Sequence, residues 1–209
     1  MFCCNTWHRR RGLRHVVVEG QYVLRQGPPP EVPADGPTDL IGTYDQALHT
    51  AIDIGIARAA LEDGASFVNT RSRPWQEAVM AGIEHANMEP HVVRRFGELA
   101  ARLWAMEALL TRGTALLDEG FAHPTAAVAA EATFTVAAAK ALAQEYAVEI
   151  ASGIFELTGT SGTDADANLD RHWRNVRIHS LHDPARWKYV HLGNHVLRGS
   201  QAPRLGLYY

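Results

Sequence analysis

Three stretches of this chain repeat apolar residues at the period of an α-helix. From Thr43 to about Arg71, the positions Leu48, Ile52, Ile56, Ala59, Ala60 and Phe67 recur at helical spacing until Pro74 stops the run, which predicts one long amphipathic helix. Between Phe96 and Leu117, the residues Phe96, Leu99, Leu103, Met106, Leu110 and Leu117 advance by threes and fours, the period of helices packed nearly antiparallel. Ala132, Val136, Ala139, Ala143, Tyr146 and Ile150 repeat the pattern in a third helix. Its start is marked by Pro124, with Thr125 as the rival cap, and its small residues imply close packing on a neighbour. A shorter helix from about Pro184 to Leu197 supplies a fourth. The expected architecture is mainly α, an antiparallel four-helix bundle in which the Gly/Thr loop and the following Arg/His segment form the crossover.

The first forty residues have a different pattern. Arg14 to Leu24 reads as a single β-strand, with β-branched residues and a glycine that can mark a bulge. Residues 27–39 hold five of the ten prolines and predict a stiff linker. Two regions follow: residues 1–42, a strand plus Pro-rich linker, and residues 43–209, the helical domain.

Composition narrows the function more than the fold. With 209 residues, 46% apolar and 21% charged, the chain can bury one full core. A formal net charge of −3 gives no general electrostatic footprint for nucleic acid, so the Arg/His-rich tail is a site or a solvated face. The only cysteines, Cys3 and Cys4, are adjacent and cannot staple a fold, so a cytoplasmic setting is expected. Met1 to Leu13 carries Trp7, His8 and three arginines without an apolar core, unlike a secretory signal, and no later stretch of membrane-spanning length is free of charge.

The candidate chemistry lies in the tail. Gly159, Thr160, Ser161, Gly162 and Thr163 form a loop that lets backbone approach an anionic ligand closely, and Arg171, Arg174 and Arg177 can balance phosphate charge. His179 and His182 add groups that titrate near neutral pH, and Asp183 can cap the helix that Pro184 opens. The plainer reading of this motif is helix capping with two solvated histidines. His191 and His195 stand one helical turn apart, but nothing completes a ligand set and no metal is assigned. Arg71 and Arg73, ahead of Pro74 and Trp75, are either cations at a helix C-terminus or a phosphate clamp with Trp75 beside an aromatic ring. Glu156 is expected to pair with an arginine rather than act as a base. Trp104 and Met106 are assigned to the core, and Trp173 and Trp187 to a ligand or a neighbouring subunit.

Several runs resemble the C-terminal domain of flavin-dependent monooxygenases with the acyl-CoA dehydrogenase fold, the sulfur-acquisition oxidoreductases and dibenzothiophene monooxygenases in particular. They are Phe155 to Ser161, Leu169 to Arg177 and His179-Ser180-Leu181-His182-Asp183-Pro184. Ala51 to Arg58, Arg71 to Trp75 and Arg95 to Ala100 are also similar, so the resemblance runs from about Gln46 to the C-terminus. It implies a homotetramer that takes reduced flavin from a separate reductase; FMN is expected ahead of FAD, although the Gly-Thr-Ser-Gly loop is compatible with either and no dinucleotide fingerprint is present. It implies that His182, and with it His179, lies near the flavin ring and helps to form or stabilise the flavin hydroperoxide that oxygenates a small organosulfur compound. Arg71 and Arg73 would face the flavin phosphate, and Gly159 to Thr163 would form the loop passing it, across a subunit interface. If residues 14–24 are the last strand of the family's middle β domain, the chain is an N-terminally truncated member. Two other functions are weighed: an acyl-CoA dehydrogenase proper, which oxidises a thioester with FAD and needs a carboxylate base, and a non-catalytic helical bundle that only oligomerises.

Overall fold

The computed structural model describes residues 39–202, and the strand at 14–24, nearly all of the Pro-rich linker and the first thirteen residues lie outside the described part. All regular structure among the described residues is helical. Helix α1 spans Ile41–Thr70, and α2 is a single short turn-rich helix, Gln76–Met80. A 3-10 turn at Ala86–Met88 leads into α3, Pro90–Ala122, whose proline sits in the first turn where its missing N–H costs nothing. Helix α4 spans Ala126–Thr158, followed by a 3-10 turn at Thr160–Thr163; α5 is Asp170–His179 and α6 is Ala185–Arg198.

Thr125, not Pro124, caps α4: its Oγ1 accepts the Val128 N–H at 3.2 Å, satisfying one donor that a helix start leaves unpaired. The helix ends at Gly159, whose φ of 66° is open to glycine at little cost. Helix α4 is long and apolar enough to cross a membrane by length and composition, but 56% of its most apolar window is buried inside the bundle, as for the core helix of a soluble domain.

Paired positions give the topology. Thr43 and Thr133 hydroxyls lie 2.9 Å apart, Lys140 reaches Asp53, and Gly64 faces Ile154, so α1 and α4 run parallel. Arg58 pairs with Glu107 at 2.7 Å and Gly113 abuts Val136, which sets α3 antiparallel to both. Backbones approach closely where glycine removes the side chain: a Cβ at Gly64 would stand 2.9 Å from Ile154 Cγ2, and one at Gly113 2.8 Å from Val136 Cγ2. The main core joins Leu99, Leu103, Met106, Ala143 and Ile150, as their spacing predicts, with Ala147 and Ile154.

The fourth arm differs from expectation. The Arg/His segment is not a crossover but helix α5, which descends α1 from Asp63 to Asp53, and α6 continues down α4 to Phe134. The arm is therefore one broken helix, interrupted at Ser180 to Pro184 halfway along the bundle. Only the loop from Gly159 to Leu169 crosses over. Three apolar side chains on the helical stripes are on the surface instead, Trp104 among them although it was assigned to the core: Leu48 is 49% exposed, Ile52 48% and Trp104 67%. With Ile41 and Tyr44, the first two form an uncovered apolar stripe along α1, beside which Tyr44 meets Phe121 edge to face.

Candidate functional site

The break in the fourth arm encloses a cluster of charged and polar groups. Gln144 of α4 holds the break open by donating from Nε2 to the carbonyls of Ser180 at 3.0 Å and Asp183 at 2.6 Å. These are acceptors that an uninterrupted helix would have paired internally. One turn earlier on α4, Lys140 is fully buried and sits 3.4 Å from Asp53 Oδ2, which is equally buried on α1. The other oxygen, Oδ1, lies 2.6 Å from His179 Nδ1. His179 Nε2 is 3.0 Å from His49 Nδ1, and the His49 ring stacks on His182 with centroids 4.3 Å apart. His182 Nδ1 is 3.1 Å from Asp183 Oδ1, and Lys188 of α6 stands 3.4 Å from Asp183 Oδ2.

Asp183 therefore does not cap α6. Its carboxylate ties His182 to Lys188, and the helix begins without a side-chain cap. Burial opposes its charge, yet the ammonium groups of Lys140 and Lys188 and the His182 hydrogen bond outweigh that and hold the carboxyl below its ordinary range. Burial also lowers Lys188, partly offset by Asp183. His49 is pushed below the usual imidazole value by burial first, then by His182 and Lys140, while Asp45 pulls the other way. A group with a depressed folded pKa contributes stability that is fully present above its unfolded value near 6.5 and is lost as the pH falls. The loss of Tm between pH 7.5 and pH 5.5 is accordingly expected to shrink in His49→Gln, read by paired thermal scans.

The two histidines expected at the site, His179 and His182, come together here, joined by His49 and Asp53, which sequence reasoning missed. Asp53 cannot serve as a free carboxylate base: it is wholly buried with both oxygens engaged by cations or N–H donors. Of the three arginines expected to balance phosphate, Arg171 and Arg174 are committed elsewhere, and Arg177 is exposed on α5. Arg171 pairs with Asp63, which also holds His172 at 2.7 Å, and Arg174 pairs with Asp170. Glu156 pairs with Arg95 at 3.1 Å, as expected. His191 and His195 do not converge: His195 stacks on Phe134 and meets the Ser200 carbonyl, and His191 faces Trp187. Among the described residues no group of three His, Cys, Asp or Glu side chains could hold a metal ion.

The other expected elements lie at the far end of the bundle. Arg71 and Arg73 are exposed just beyond α1, Arg71 lying over the Phe67 ring at 5.5 Å, and the Ser72 hydroxyl between them is buried without a partner. Gly159 to Thr163 follow α4 and, because α1 and α4 run parallel, occupy the same end. Thr163 Oγ1 is committed to the Thr160 carbonyl at 2.7 Å, and Gly162 is buried where a Cβ would fall 2.0 Å from Thr158 Oγ1. From Asp53 to Arg71 the chain advances 18 residues, roughly 27 Å at 1.5 Å per helical residue. One copy of the chain thus does not bring its histidines and its arginines together.

This helical bundle has the fold of the acyl-CoA dehydrogenase C-terminal domain. The chain belongs to the family described as "Acyl-CoA dehydrogenase, C-terminal domain", which it matches over residues 47–187. It is 36% identical over 168 residues to the dibenzothiophene monooxygenase of Mycolicibacterium goodii, a match covering 78% of this chain and 40% of that protein. The chain spans about two fifths of the length of the curated relatives it matches. Methanesulfinate monooxygenase MsuC from Pseudomonas fluorescens superposes with a TM-score of 0.76 at 32% identity, over 80% of this chain and 43% of that one. FMN-bound TdsC, a dibenzothiophene monooxygenase from Paenibacillus sp. A11-2, gives 0.74 at 32% identity, over 80% and 42%.

Proposed function

We propose that the chain is the flavin-facing helical module of a monooxygenase that uses reduced FMN and dioxygen to oxygenate a small organosulfur compound. The observation that carries this reading is the convergence of His179 and His182 on His49 at a built helix break, in a chain similar to enzymes named for dibenzothiophene and methanesulfinate, one of them holding FMN.

The residues present suit a flavin mononucleotide. At one end of the bundle, Arg71 and Arg73 flank a buried Ser72 hydroxyl that lacks a partner, a donor set matched to a phosphate. Beside it, Gly159 has open space where a side chain would stand, so backbone there can approach a ligand closely. At mid-bundle, the half-buried rings of His49 and His182 form a flat stacked pair beside the exposed Leu48 and Ile52. Bound reduced FMN would supply the electrons that activate dioxygen. The part of this chain is to hold the phosphate through Arg71, Ser72 and Arg73, and to present at the ring an imidazole, His182, whose orientation Asp183 fixes. Asp53 is unavailable as a base, which disfavours oxidation of a thioester by this chain.

The separation between the two ends exceeds the length of one FMN. In this reading each flavin is shared between copies, with the arginines of one and the histidines of another, which requires a homo-oligomer; a tetramer is the assembly we propose. The apolar stripe of Ile41, Tyr44, Leu48 and Ile52 supports it as a surface that association would cover. A separate flavin reductase is the natural source of the reduced cofactor.

Anaerobic titration of the chain with reduced FMN and reduced FAD, followed by fluorescence and light scattering, tests the reading. Saturable binding to an assembly, tighter for FMN, is expected. A folded, helical assembly that binds neither flavin would replace this function with that of a non-catalytic oligomerising bundle.

A further inference from the structure

The buried Asp53–Lys140 pair has no role in holding a flavin, yet it is joined to the exposed face by two rings in series. We propose that Asp53 is a positioning residue that turns His179 and His49 into a proton relay, with its entrance at His49 Nε2 and its store at His179. The relay itself follows from the geometry of this chain; its use to serve oxygenation rests on the function proposed above.

The hydrogen-bond directions follow from the partners. Lys140 offers only donors, so Asp53 Oδ2 accepts from it, and as a carboxylate Asp53 Oδ1 accepts from His179 Nδ1–H at 2.6 Å. His179 Nε2 is then an acceptor, and the 3.0 Å contact requires His49 to donate from Nδ1. That leaves the lone pair of His49 on Nε2, which faces Asp45 at 3.8 Å, too far for a hydrogen bond. A proton arriving there forms a new N–H bond at His49 Nε2. The N–H bond at His49 Nδ1 breaks as one forms at His179 Nε2, and the positive charge comes to rest on His179 against the Asp53 carboxylate. Run backwards, the same steps release one proton at His49 Nε2.

Neighbouring charges explain why the proton does not stay on the first ring. His49 is stacked on His182, and His182, Lys140 and His179 all oppose a charge there; only Asp45 favours it. His182 is balanced separately by Asp183, itself paired with Lys188 of α6. His179 is the one ring of the three in direct contact with the buried carboxylate, the arrangement by which an aspartate fixes a catalytic histidine's tautomer and stabilises its imidazolium.

The test is the tautomeric state of each ring in the flavin-free full chain, read from long-range proton–nitrogen correlations with 15N-labelled histidine at pH 7.5. In the unaltered chain His179 and His49 should both carry the proton on Nδ1. In Asp53→Asn the amide oxygen turns to Lys140 and the amide nitrogen donates to His179 Nδ1, so the pyridine-type nitrogen signal should move from Nε2 to Nδ1 in His179 and His49 together. In His49→Phe, which keeps a ring stacked on His182, His179 should retain its Nδ1 proton. The proposal is overturned if His179 carries its proton on Nε2 in the unaltered chain, keeps its tautomer in Asp53→Asn, changes it without His49, or changes it in His49→Phe. Should Asp53→Asn not fold, the unaltered chain and His49→Phe still decide. No flavin is present, so failure here is separate from failure to bind FMN.

Discussion

Replacing Lys140 by Met is expected to lower the unfolding free energy by about 3–5 kcal/mol, the range for breaking a buried pair and leaving one charge uncompensated. Both members are completely buried between α1 and α4, so solvent cannot take over from the missing ammonium. The remaining partner of Asp53 is His179 Nδ1, at 2.6 Å. The double variant Asp53→Asn/Lys140→Met removes both charges from the interior and should recover most of the loss. Urea unfolding of the two variants measures this, and an equal loss in the single and double variants would show that the pair is not what the interior depends on.

Leu99→Ala carries the other large effect, a loss of about 3–5 kcal/mol at the upper part of the range for a buried leucine. The size of such a loss depends on whether neighbours can collapse into the space. Leu99 is fully buried and packs against Gly153, where even a Cβ would come within 3.3 Å of Leu99 Cδ1. Glycine has no side chain to move into the cavity, and the two helix backbones are already in close approach. Relaxation is thus restricted, and chemical denaturation should show a lower midpoint with an unchanged slope. A loss under 1 kcal/mol would mean that α3 shifts onto α4, contrary to the tight packing described.

The three long helices were legible because their buried faces recur at helical steps: Leu99, Leu103 and Met106 on α3, and Ala132, Val136, Ala139 and Ala143 on α4, lie where that period places them. Leu48, Ile52 and Trp104 misled for a physical reason, since apolar residues on an uncovered face follow the same spacing as those in the core. Helix α5 was not legible as a helix because it buries only His172 and Val176. It is held by tertiary ion pairs from its ends to Asp63 and Asp53, which local pattern does not reveal.

The same limit hid the centre of the site. Asp53 and Lys140 are 87 residues apart and meet only because α1 and α4 run parallel in one register. One signal was available: Lys140 is the single charge in the run from Thr133 to Gln144, and such a charge among small apolar residues requires a buried partner. His179 and His182 were legible as a motif. Their dependence on His49 and Gln144, from two other helices, was not.

The most direct measurement of the central claim, that one flavin is held between the arginine end of one copy and the histidine end of another, is subunit mixing. Arg71→Ala/Arg73→Ala removes the first half and His182→Trp obstructs the second, so each variant alone should bind reduced FMN more weakly than the unaltered chain. When the two are unfolded, combined and refolded together, some interfaces unite intact halves, and the account predicts that part of the tight FMN binding returns. Verified mixed assemblies that bind no better than either variant alone would contradict it.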